Sequence, residues 1–561
     1  MATLDRKRVI FLTTSPRTAE KMIPEISLLN KYFAGQVWNS DTQRAFMDVL
    51  KNENFFNGKG ENDPSFSARD RINRAPKAYG FVTLTPTIQL TSAGFQLITA
   101  KRKQDVFFRQ LLKFQLPSPY HTLKEDETDF CVKPFLEILR LIRHFGSLKF
   151  DELQIFGLQL VNYNRFDVIT AKIEQFRIDC IDTKQKYNLF KKEVLENEIK
   201  EIYSYEIANN DIKTREKKTK NLALFIETKA NNMRDYADAC VRYLRATGMV
   251  NISHTGRSLS IVPEHIEDVD YVLNNVDRAP VFIDDKAQYV NYLGNPKLPV
   301  LLTDNKELLI SKLKREFPEN KIDLSQDVET LRDIFDDLTI SRQQSIIQQE
   351  VVNLKNYKQY DEIQKQYIQI LTKRNLYDAP LLLEWNTWRA MTMLDGGDIK
   401  ANLKFDDFGK PMSTAQGNMA DIVCDYGDFG LSVEVTMASG QRQYEMEGEP
   451  ITRHLGKLKM SINKPAYCLF IAPNINPAVI GHFYVLHKLN IEVYGGKSAI
   501  VPLPLKIFMK MIEDSYKANY VPNPEHVQRF FEHSKALAET SQSETEWYKG
   551  ITQAALNWLK I

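Results

Sequence analysis

The sequence predicts an α+β protein of several domains, with a helical, winged-helix-like N-terminal region, a helical linker and a C-terminal α/β domain. Its 561 residues exceed what one hydrophobic core usually holds. Three segments of the N-terminal half have the pattern of helices joined to short strands, and two apolar runs near the C-terminus have the pattern of buried strands. The polar stretch between these halves carries sparse Leu and Ile residues at helical spacing.

These changes in pattern set the predicted domain boundaries. We expect two winged-helix-like subdomains at 1–130 and 131–300, a helical linker at 301–375 and the α/β domain at 376–561. The linker is assigned because the chain from 305 to 372 is polar, rich in Gln and free of Gly.

Composition excludes several classes of protein. The apolar stretches, such as 466–473, are too short to span a membrane, and the N-terminus lacks the apolar segment of a secretory signal. The five cysteines are scattered without CxxC spacing. We therefore expect a cytoplasmic protein with reduced thiols, no structural zinc and no membrane partner.

Charge is unevenly distributed along the chain. Residues 1–124 contain 19 Lys and Arg against 10 Asp and Glu, a net of +9, whereas residues 376–450 contain 5 against 13, a net of −8. A basic region suits a polyanion and an acidic region suits bound cations. Solvated surfaces are the alternative for both.

The three helix-and-strand segments predict binding of double-stranded DNA. They are residues 79–98, 135–161 and 236–262. Thr91 begins one helix as a cap, Gly146 ends another, Ser147 is expected to cap the next, and Gly248 ends a third. Winged helices commonly lay one helix in the major groove, although many bind proteins instead. Three such segments in series, together with a basic N-terminal region, favour DNA binding over protein binding.

Residues 421–437 predict a β-hairpin with two carboxylates at one end. A short strand begins at Asp421, a tight turn follows, and the return strand alternates apolar residues with Glu434. Such a hairpin can place Asp421 beside Glu434. Asp425 is a weaker candidate for the same cluster.

Further acids lie on the two flanking helices. Glu384 begins an apolar-rich helix, and Ser439-Gly440 opens another on which Gln443 and Glu447 share a face. The order helix–strand–strand–helix–strand, with acids on the first elements, suits a metal-dependent nuclease core.

The expected chemistry is Mg²⁺-dependent phosphodiester hydrolysis. Hard oxygen ligands hold Mg²⁺, which activates water and neutralises phosphate charge. Asp421 and Glu434 are the predicted ligands, and Glu447 or Gln443 could orient the attacking water. Any single acid here could instead be a surface carboxylate, but Glu434 interrupts an apolar strand.

Several long, unusual strings occur in one order along nearly the whole chain. They are Thr14-Ser15-Pro16-Arg17, Ser67-Ala68-Arg69-Asp70-Arg71, Tyr79-Gly80-Phe81-Val82, Tyr292-Leu293-Gly294-Asn295-Pro296, Glu384-Trp385, Glu434-Val435-Thr436, the nine residues from Met446 to His454, and Leu469-Phe470-Ile471-Ala472-Pro473. Through these strings the sequence resembles the AlwI family of type IIS restriction endonucleases, which includes related nicking enzymes.

The resemblance implies a modular bacterial enzyme of a restriction-modification system. Its N-terminal part binds a short asymmetric DNA sequence, and its C-terminal PD-(D/E)XK domain cuts a few base pairs to one side. The active-site acids carried over are Glu384, Asp421, Glu434 and Glu447. This chain departs from the general motif, because Ala420 replaces the expected Pro and Thr436 the expected Lys. We expect Glu447 to substitute for that lysine.

For DNA recognition we expect residues just before the first predicted wing. They are Arg69, Asp70, Arg71, Arg74 and Lys77. Arg reads guanine edges bidentately, and Asp accepts from cytosine or holds a neighbouring Arg. An internal Arg–Asp pair that only shapes the segment is the alternative.

The leading hypothesis is a type IIS restriction endonuclease. One catalytic domain hydrolyses one strand, so a double-strand cut requires a transient homodimer or a smaller catalytic partner chain. The alternatives are a strand-specific nicking enzyme or the large subunit of a heterodimer, a structure-specific repair nuclease, and a catalytically inactive DNA-binding regulator. The presence of both Asp421 and Glu434 argues against the regulator. The recognised bases and the cut offset stay open.

Overall fold

The computed structural model divides into two compact units. It describes residues 2–561 except 5–6, 17, 54, 57–62, 123–127, 215–219, 254–255, 373–375, 395, 415–418 and 519–523, so Arg17 of the first sequence string lies outside the described residues. Unit 1 comprises 1–53 and 58–339, and unit 2 comprises 54–57 and 340–561. The predicted linker helices are therefore shared between the units, and the finer division into four domains stays a prediction.

Unit 1 is mainly helical, with short strands. Its elements are β1 (Ala2–Thr3), α1 (Met22–Phe33), α2 (Ser40–Lys51), α3 (Pro64–Ile72), α4 (Ala75–Ala78), β2 (Val82–Thr83), β3 (Gln89–Leu90), α5 (Ser92–Thr99), α6 (Gln104–Lys113), β4 (His121–Thr122), α7 (Pro134–Phe145), β5 (Leu148–Lys149), α8 (Phe150–Ile155), α9 (Phe166–Asp182), α10 (Tyr187–Ile202), α11 (Ser204–Ala208), α12 (Leu222–Ala246), β6 (Val250–Ile252), β7 (Ser258–Ile261), α13 (Ile266–Asn275), α14 (Lys286–Gly294) and α15 (Lys306–Glu316). The division from unit 2 falls within α16 (Val328–Lys355).

The first predicted helix-and-strand segment forms largely as expected. Strand β2 pairs antiparallel with β3, and α5 follows at once. The Thr91 hydroxyl accepts from the Gly94 N–H, 3.0 Å away, and so caps α5. A side chain with this reach satisfies one of the unpaired N–H groups at a helix start.

The second and third segments form one sheet instead of two separate units. Gly146 ends α7 at a φ of +71°, a conformation that favours glycine. Ser147 does not cap the next helix, because the two-residue strand β5 intervenes and α8 begins at Phe150. Strand β5 pairs with β7, which pairs with β6, giving the order β5-β7-β6.

Buried basic side chains of α6 hold the segment that follows α14. The guanidinium of Arg109 makes a two-point contact with Asp304, with both N–O distances 2.7 Å, and also donates to the Pro299 carbonyl. Lys113 Nζ donates to the carbonyls of Leu293 and Asn295, both at 2.7 Å. These bonds pair the buried charge of Arg109 and satisfy the buried amine of Lys113, whose pKa burial lowers to about 6.

Unit 2 is built around one mixed sheet. Its elements after α16 are α17 (Tyr360–Thr372), α18 (Ala379–Met393), β8 (Asp398–Ala401), β9 (Leu403–Phe405), β10 (Pro411–Thr414), β11 (Ile422–Asp425), β12 (Gly430–Val435), α19 (Gln441–Ile462), β13 (Ala466–Ala472), α20 (Pro477–Lys488), β14 (Ile500–Pro504), α21 (Leu505–Lys517), α22 (Pro524–Thr540) and α23 (Glu544–Ala555).

The strand order of this sheet is β14-β13-β12-β11-β8. Strands β12, β13 and β14 are parallel, whereas β11 is antiparallel to both β12 and β8. Helices α19 and α20 connect the parallel strands and pack against each other, as right-handed crossovers in one direction require. Every residue of β12 is buried, so the apolar alternation predicted from the sequence does not leave one face in solvent.

This topology fixes where side chains meet. The carboxyl ends of β12, β13 and β14 share one edge of the sheet, and the start of β11 lies at the same edge because β11 runs the other way. Within the described part of the chain, every helix is too short or too polar to traverse a lipid bilayer.

The Arg109–Asp304 contact gives a test of the packing in unit 1. Arg109 is 2% exposed, so Arg109→Ala removes the two-point partner of Asp304, which keeps only Arg332 and the Leu301 N–H, and also removes the side-chain donor to the Pro299 carbonyl. We expect the free energy of unfolding to fall by about 3 kcal/mol or more. The pair Arg143–Asp270 is the control, because both side chains are at least 40% exposed. Arg143→Ala should cost less than about 1 kcal/mol. Equal losses in chemical denaturation would contradict the assignment.

Candidate active site

The register of the β11–β12 hairpin places two carboxylates side by side. Ile422 pairs with Val433, so Asp421, one residue before β11, lies opposite Glu434. Directly opposed residues on antiparallel strands have neighbouring side chains on one face. The Val435 N–H donates to Asp421 Oδ2 at 2.8 Å and holds that carboxylate at the sheet edge. The predicted hairpin and its pair of acids are therefore present.

Helix α19 brings further polar side chains to this pair. It begins after Gly440, whose φ of +62° favours glycine. Glu447 and His454 are two helical turns apart and so lie on one face. His454 Nδ1 lies 2.8 Å from Glu434 Oε1, and the Thr436 side chain is hydrogen-bonded to Glu447.

Glu384 of α18 completes a group of four acids. Burial raises the pKa of Glu384 well above its ordinary value, and repulsion from Asp421, Asp378, Glu434 and Glu447 raises it further. Such repulsion acts at short range, so the four predicted acids Glu384, Asp421, Glu434 and Glu447 are gathered in one place. Asp378 adds negative charge beside Glu384 and was not singled out from the sequence.

The other three acids show the same kind of perturbation. Burial and then the charge of Glu434 raise the pKa of Asp421. Burial and then Glu447 raise the pKa of Glu434, which is 5% exposed, while Arg453 opposes the shift. Burial raises the pKa of Glu447, and its hydrogen bond with Thr436 opposes this. Strongly perturbed acids that cluster in this way are typical of functional sites.

His454 is the site residue that the sequence reasoning undervalued. A histidine on a helix is ordinarily structural, but His454 contacts Glu434 directly. Burial lowers the pKa of His454 to about 4, so its ring is neutral at physiological pH. With Glu434 ionised, Nδ1–H donates to the carboxylate and Nε2, which is buried without a hydrogen-bond partner among the described residues, carries the lone pair. The seven-residue spacing from Glu447 was the available signal.

Two other residues lie differently from the sequence expectation. Gln443 was a candidate for orienting water, but it is fully buried and its amide binds the backbone of Ala438, Asn474 and Asn476. Gln443 therefore has a structural role, because its amide joins these backbone segments by hydrogen bonds. Asp425 is exposed and paired with Lys464 at 2.8 Å, so it lies outside the group of acids.

The position of the missing motif lysine is filled by Thr436. The Thr436 side chain is hydrogen-bonded to Glu447, and the Thr436 backbone N–H donates to the Ile471 carbonyl at 3.1 Å. The cationic side chain that lowers the pKa of Glu434 is instead Arg453, on α19. Arg453 also pairs with Glu449, with its Nε 3.0 Å from Oε1.

The predicted DNA-contacting residues lie on α3, on α4 and between them. Arg71 pairs with the buried Glu25, and Arg74 pairs with Asp70 at 2.5 Å, as the internal-pair alternative expected. Lys77 Nζ lies 5.0 Å from the centre of the Tyr120 ring. Arg69 is exposed, and no ion pair to it occurs among the described residues.

The group of acids fits a hard divalent cation. No three His, Cys, Asp or Glu side chains in the described ranges already surround a common point as a metal cage. Mg²⁺ does not require one, because it is commonly held by one or two carboxylates, waters and substrate phosphate oxygens. Asp421 and Glu434 supply two such carboxylates, and burial followed by repulsion from neighbouring carboxylates raises both pKa values, a cost to the charged forms that a bound cation would relieve.

The pKa shifts predict how metal-free stability depends on pH. Folded-state pKa values above the ordinary 3.8 and 4.5 mean that Asp421 and Glu434 bind more protons when folded. The ionised carboxylates therefore lower the free energy of unfolding. This loss of stability is complete at a pH above the raised pKa values, and it disappears as the pH falls toward the ordinary pKa values. In EDTA at pH 8, Asp421→Asn should therefore melt above wild type and show a flatter pH profile.

Asp425→Asn is the matched control for this measurement. Lys464 and the Gly427 N–H lower the pKa of Asp425, so its charge stabilises the fold and its loss should lower the melting temperature or leave it unchanged. An Asp421→Asn chain less stable than wild type at pH 8 in EDTA would contradict the repulsion described here.

The family model described as AlwI restriction endonuclease matches residues 78–511. No curated protein matches the chain. The small subunit (R.BspD6I2) of the heterodimeric restriction endonuclease R.BspD6I is 24% identical, with 35% of this chain and 98% of that chain covered and a TM-score of 0.30.

A second solved structure has a similarly low structural similarity to this chain. It is the BpuJ1 endonuclease binding domain in complex with pyrene- and phenanthrene-modified DNA, which is 13% identical, with 52% of this chain and 97% of that chain covered and a TM-score of 0.34. At these TM-scores neither structure carries an argument. The family model, which matches most of the chain, does: the protein belongs to the AlwI restriction endonuclease family and is a site-specific deoxyribonuclease.

Proposed function

We propose that the protein is a Mg²⁺-dependent type IIS restriction endonuclease. It binds a short asymmetric sequence in double-stranded DNA through unit 1 and hydrolyses phosphodiester bonds a few base pairs to one side with unit 2. The observation that carries this proposal is the group of four acids at one edge of the unit 2 sheet, with Asp421 opposite Glu434. We assign this sheet and its helices to the PD-(D/E)XK class.

Each residue of the site has a distinct proposed role. Asp421 and Glu434 would hold Mg²⁺, which when bound neutralises phosphate charge and lowers the pKa of a bound water. The Val435 N–H orients Asp421, and His454 Nδ1–H orients Glu434. Glu447, whose pKa burial raises, would take a proton from water as a general base. Glu384 adds the fourth carboxylate from α18.

The proposed recognition part lies in unit 1. Helix α7, strand β5 and helix α8, and then, after the intervening helices α9 to α11, helix α12 and the hairpin β6–β7, occur in the order of a winged helix, and the β5-β7-β6 sheet joins the two parts. We assign this group, together with the β2–β3 hairpin and α5, to DNA binding. The +9 charge of residues 1–124 supports a polyanionic partner.

The number of strands cut depends on how many cleavage units act. One group of acids serves one phosphodiester at a time, so a single chain nicks and two cleavage units cut both strands. The strand-specific nicking enzyme, alone or as the larger subunit of a heterodimer, is therefore the second candidate function. Family membership and the intact Asp421 and Glu434 weigh against the inactive regulator.

Plasmid cleavage tests the catalytic assignment. Wild type with Mg²⁺ should give discrete ends beside one short sequence, and EDTA should abolish them. Asp421→Ala and Glu434→Ala should each slow cleavage about 10³-fold or more, because each removes a group that acts only with the others. Asp425→Ala is the control and should cut at the wild-type rate, since Asp425 is exposed and outside the group. Cleavage that persists in EDTA would refute the metal dependence.

Arg69 and Arg71 separate DNA contact from internal pairing. Arg69→Ala should leave the melting temperature unchanged and weaken specific DNA binding by about 1–3 kcal/mol. Arg71→Ala should lower the melting temperature, because it leaves Glu25, which is 3% exposed, buried without its partner. Binding by fluorescence anisotropy at two salt concentrations and thermal melts of both variants decide this. An Arg69→Ala chain that binds like wild type would refute the contact.

A further inference from the structure

A short hairpin leaves the unit 2 sheet at the edge that carries the acids. Strand β9 follows β8 after one residue, Asn402, and pairs antiparallel with β10. The Asn402 N–H donates to the Asp421 carbonyl at 2.8 Å, directly after the paired residues Ala401 and Ile422. The β9–β10 hairpin therefore begins beside one of the two proposed Mg²⁺ ligands.

Lys404 projects from β9 into solvent. Its neighbours in the strand, Leu403 and Phe405, are buried and half-buried, and the Phe405 ring packs against the Trp388 ring with centroids 5.8 Å apart. Side chains alternate along a strand, so Lys404 lies on the opposite side of β9. Lys404 is exposed, and no ion pair to it occurs among the described residues. Its charge is therefore available to a ligand.

Lys410 is a second exposed lysine of the hairpin and lies toward α18. Its Nζ is 5.6 Å from the centre of the Trp385 ring, and Trp385 directly follows Glu384, one of the four acids. Lys410 likewise has no ion pair within the part of the chain that the structure describes. The hairpin therefore carries one unpaired lysine two residues from its contact with Asp421 and another beside the residue that follows Glu384.

The acidic side chains of the hairpin are turned inward instead. Asp406 and Asp407 are 3% and 4% exposed. Asp406 Oδ1 accepts from the backbone N–H groups of Phe408 and Lys410, at 2.9 and 2.8 Å, so this carboxylate is used within the turn. The outer surface of the hairpin therefore presents the charge of its lysines.

Hydrogen bonds and ring contacts hold the hairpin in a defined position. Gln343 Nε2 donates to the carbonyls of Phe405 and Asp406, at 2.9 and 2.7 Å. The Arg342 guanidinium lies 4.7 Å from the centre of the Phe408 ring. Arg342 and Gln343 belong to unit 2, as the hairpin does. A support that is already ordered loses little conformational freedom when it binds a ligand, which favours binding.

We propose that Lys404 and Lys410 bind phosphates of the DNA strand that is being cut, next to the scissile phosphate. This inference rests on the proposed function, in which the group of acids hydrolyses that phosphate. The two lysines bind and position the strand and take no part in the transfer of protons.

The charge of the site supports such contacts. The four acids repel a DNA phosphate, which carries charge of the same sign, and a Mg²⁺ ion on Asp421 and Glu434 would offset two of these four charges. Arg453 opposes only part of the rest, because it also pairs with Glu449. Unpaired lysines beside the acids supply the attraction that brings the strand to them.

Contacts to the backbone also suit a cut that lies outside the recognised sequence. The bases at such a cut differ from one site to the next, whereas a phosphate is present at every position. Lysine binds phosphate as a point charge and reads no base through that contact. The hairpin therefore has the chemistry to position DNA of any sequence at the acids.

The first test measures DNA binding without cleavage. In an Asp421→Ala background with Mg²⁺, Lys404→Gln and Lys410→Gln together remove two charges. On a duplex that extends past the cut position mapped with wild type, the slope of log affinity against log salt concentration should become shallower by about two, one for each lysine. On a duplex that ends before the cut position, the slope should not change. An unchanged slope on the long duplex, or an equal change on both duplexes, would overturn the proposal.

Lys549→Gln is the matched control for this measurement. Lys549 lies on α23 of the same unit, is exposed, and has no ion pair in the described ranges. Its variant should bind and cut like wild type. Lys404→Arg and Lys410→Arg keep the charges and should retain the wild-type slope. A loss in Lys549→Gln equal to that in the hairpin variants would indicate a general effect of charge and would count against the hairpin.

The second test uses cleavage to locate each contacted phosphate. Lys404→Gln and Lys410→Gln should each slow single-turnover cleavage about tenfold or more, with the melting temperature unchanged. An uncharged methylphosphonate in place of the contacted phosphate should slow wild type by a similar factor but should slow the matching lysine variant no further. Losses that multiply at every phosphate beside the cut would rule out the contact.

The hairpin contact and the proposed function can fail separately. If wild type cuts in EDTA, the Mg²⁺ dependence is refuted, but a methylphosphonate effect that disappears in Lys404→Gln keeps the hairpin contact. If wild type gives discrete, EDTA-sensitive ends and both lysine variants cut at the wild-type rate, the proposed function stands and the hairpin contact is overturned.

Discussion

The pairing of Ile422 with Val433 is the constraint on which the active site depends. It sets Asp421 opposite Glu434 at the edge of a sheet whose central strand is buried on both faces. A slip of one residue would turn every side chain of the strand to the other face, so the apolar core fixes the register. The same core holds two repelling carboxylates together. The fold therefore keeps a local destabilising interaction because the surrounding apolar packing outweighs it.

Buried charge is arranged differently in the two units. In unit 1, Arg109 is matched by Asp304 and backbone carbonyls, and Arg71 is matched by Glu25. In unit 2, four acids converge, and the charge of Arg453 only partly offsets the raised pKa of Glu434. A matched buried charge supports structure, whereas an unmatched cluster of like charges costs stability and persists for chemistry. This contrast supports the proposed cation site in unit 2 on physical grounds that are independent of any motif.

Local features could be predicted from the sequence because their causes are local. The Thr91 cap, the helix end at Gly146 and the hairpin with Asp421 and Glu434 each follow from residues within a few positions of one another. The joining of the second and third segments could not be predicted, because β5 and β7 are far apart in the chain and their pairing has no local signal. The structural role of Gln443 could not be predicted either, because its amide donates to the carbonyl of Asn474, which lies in a loop distant in the chain. His454 was within reach, since its spacing from Glu447 places both on one helical face.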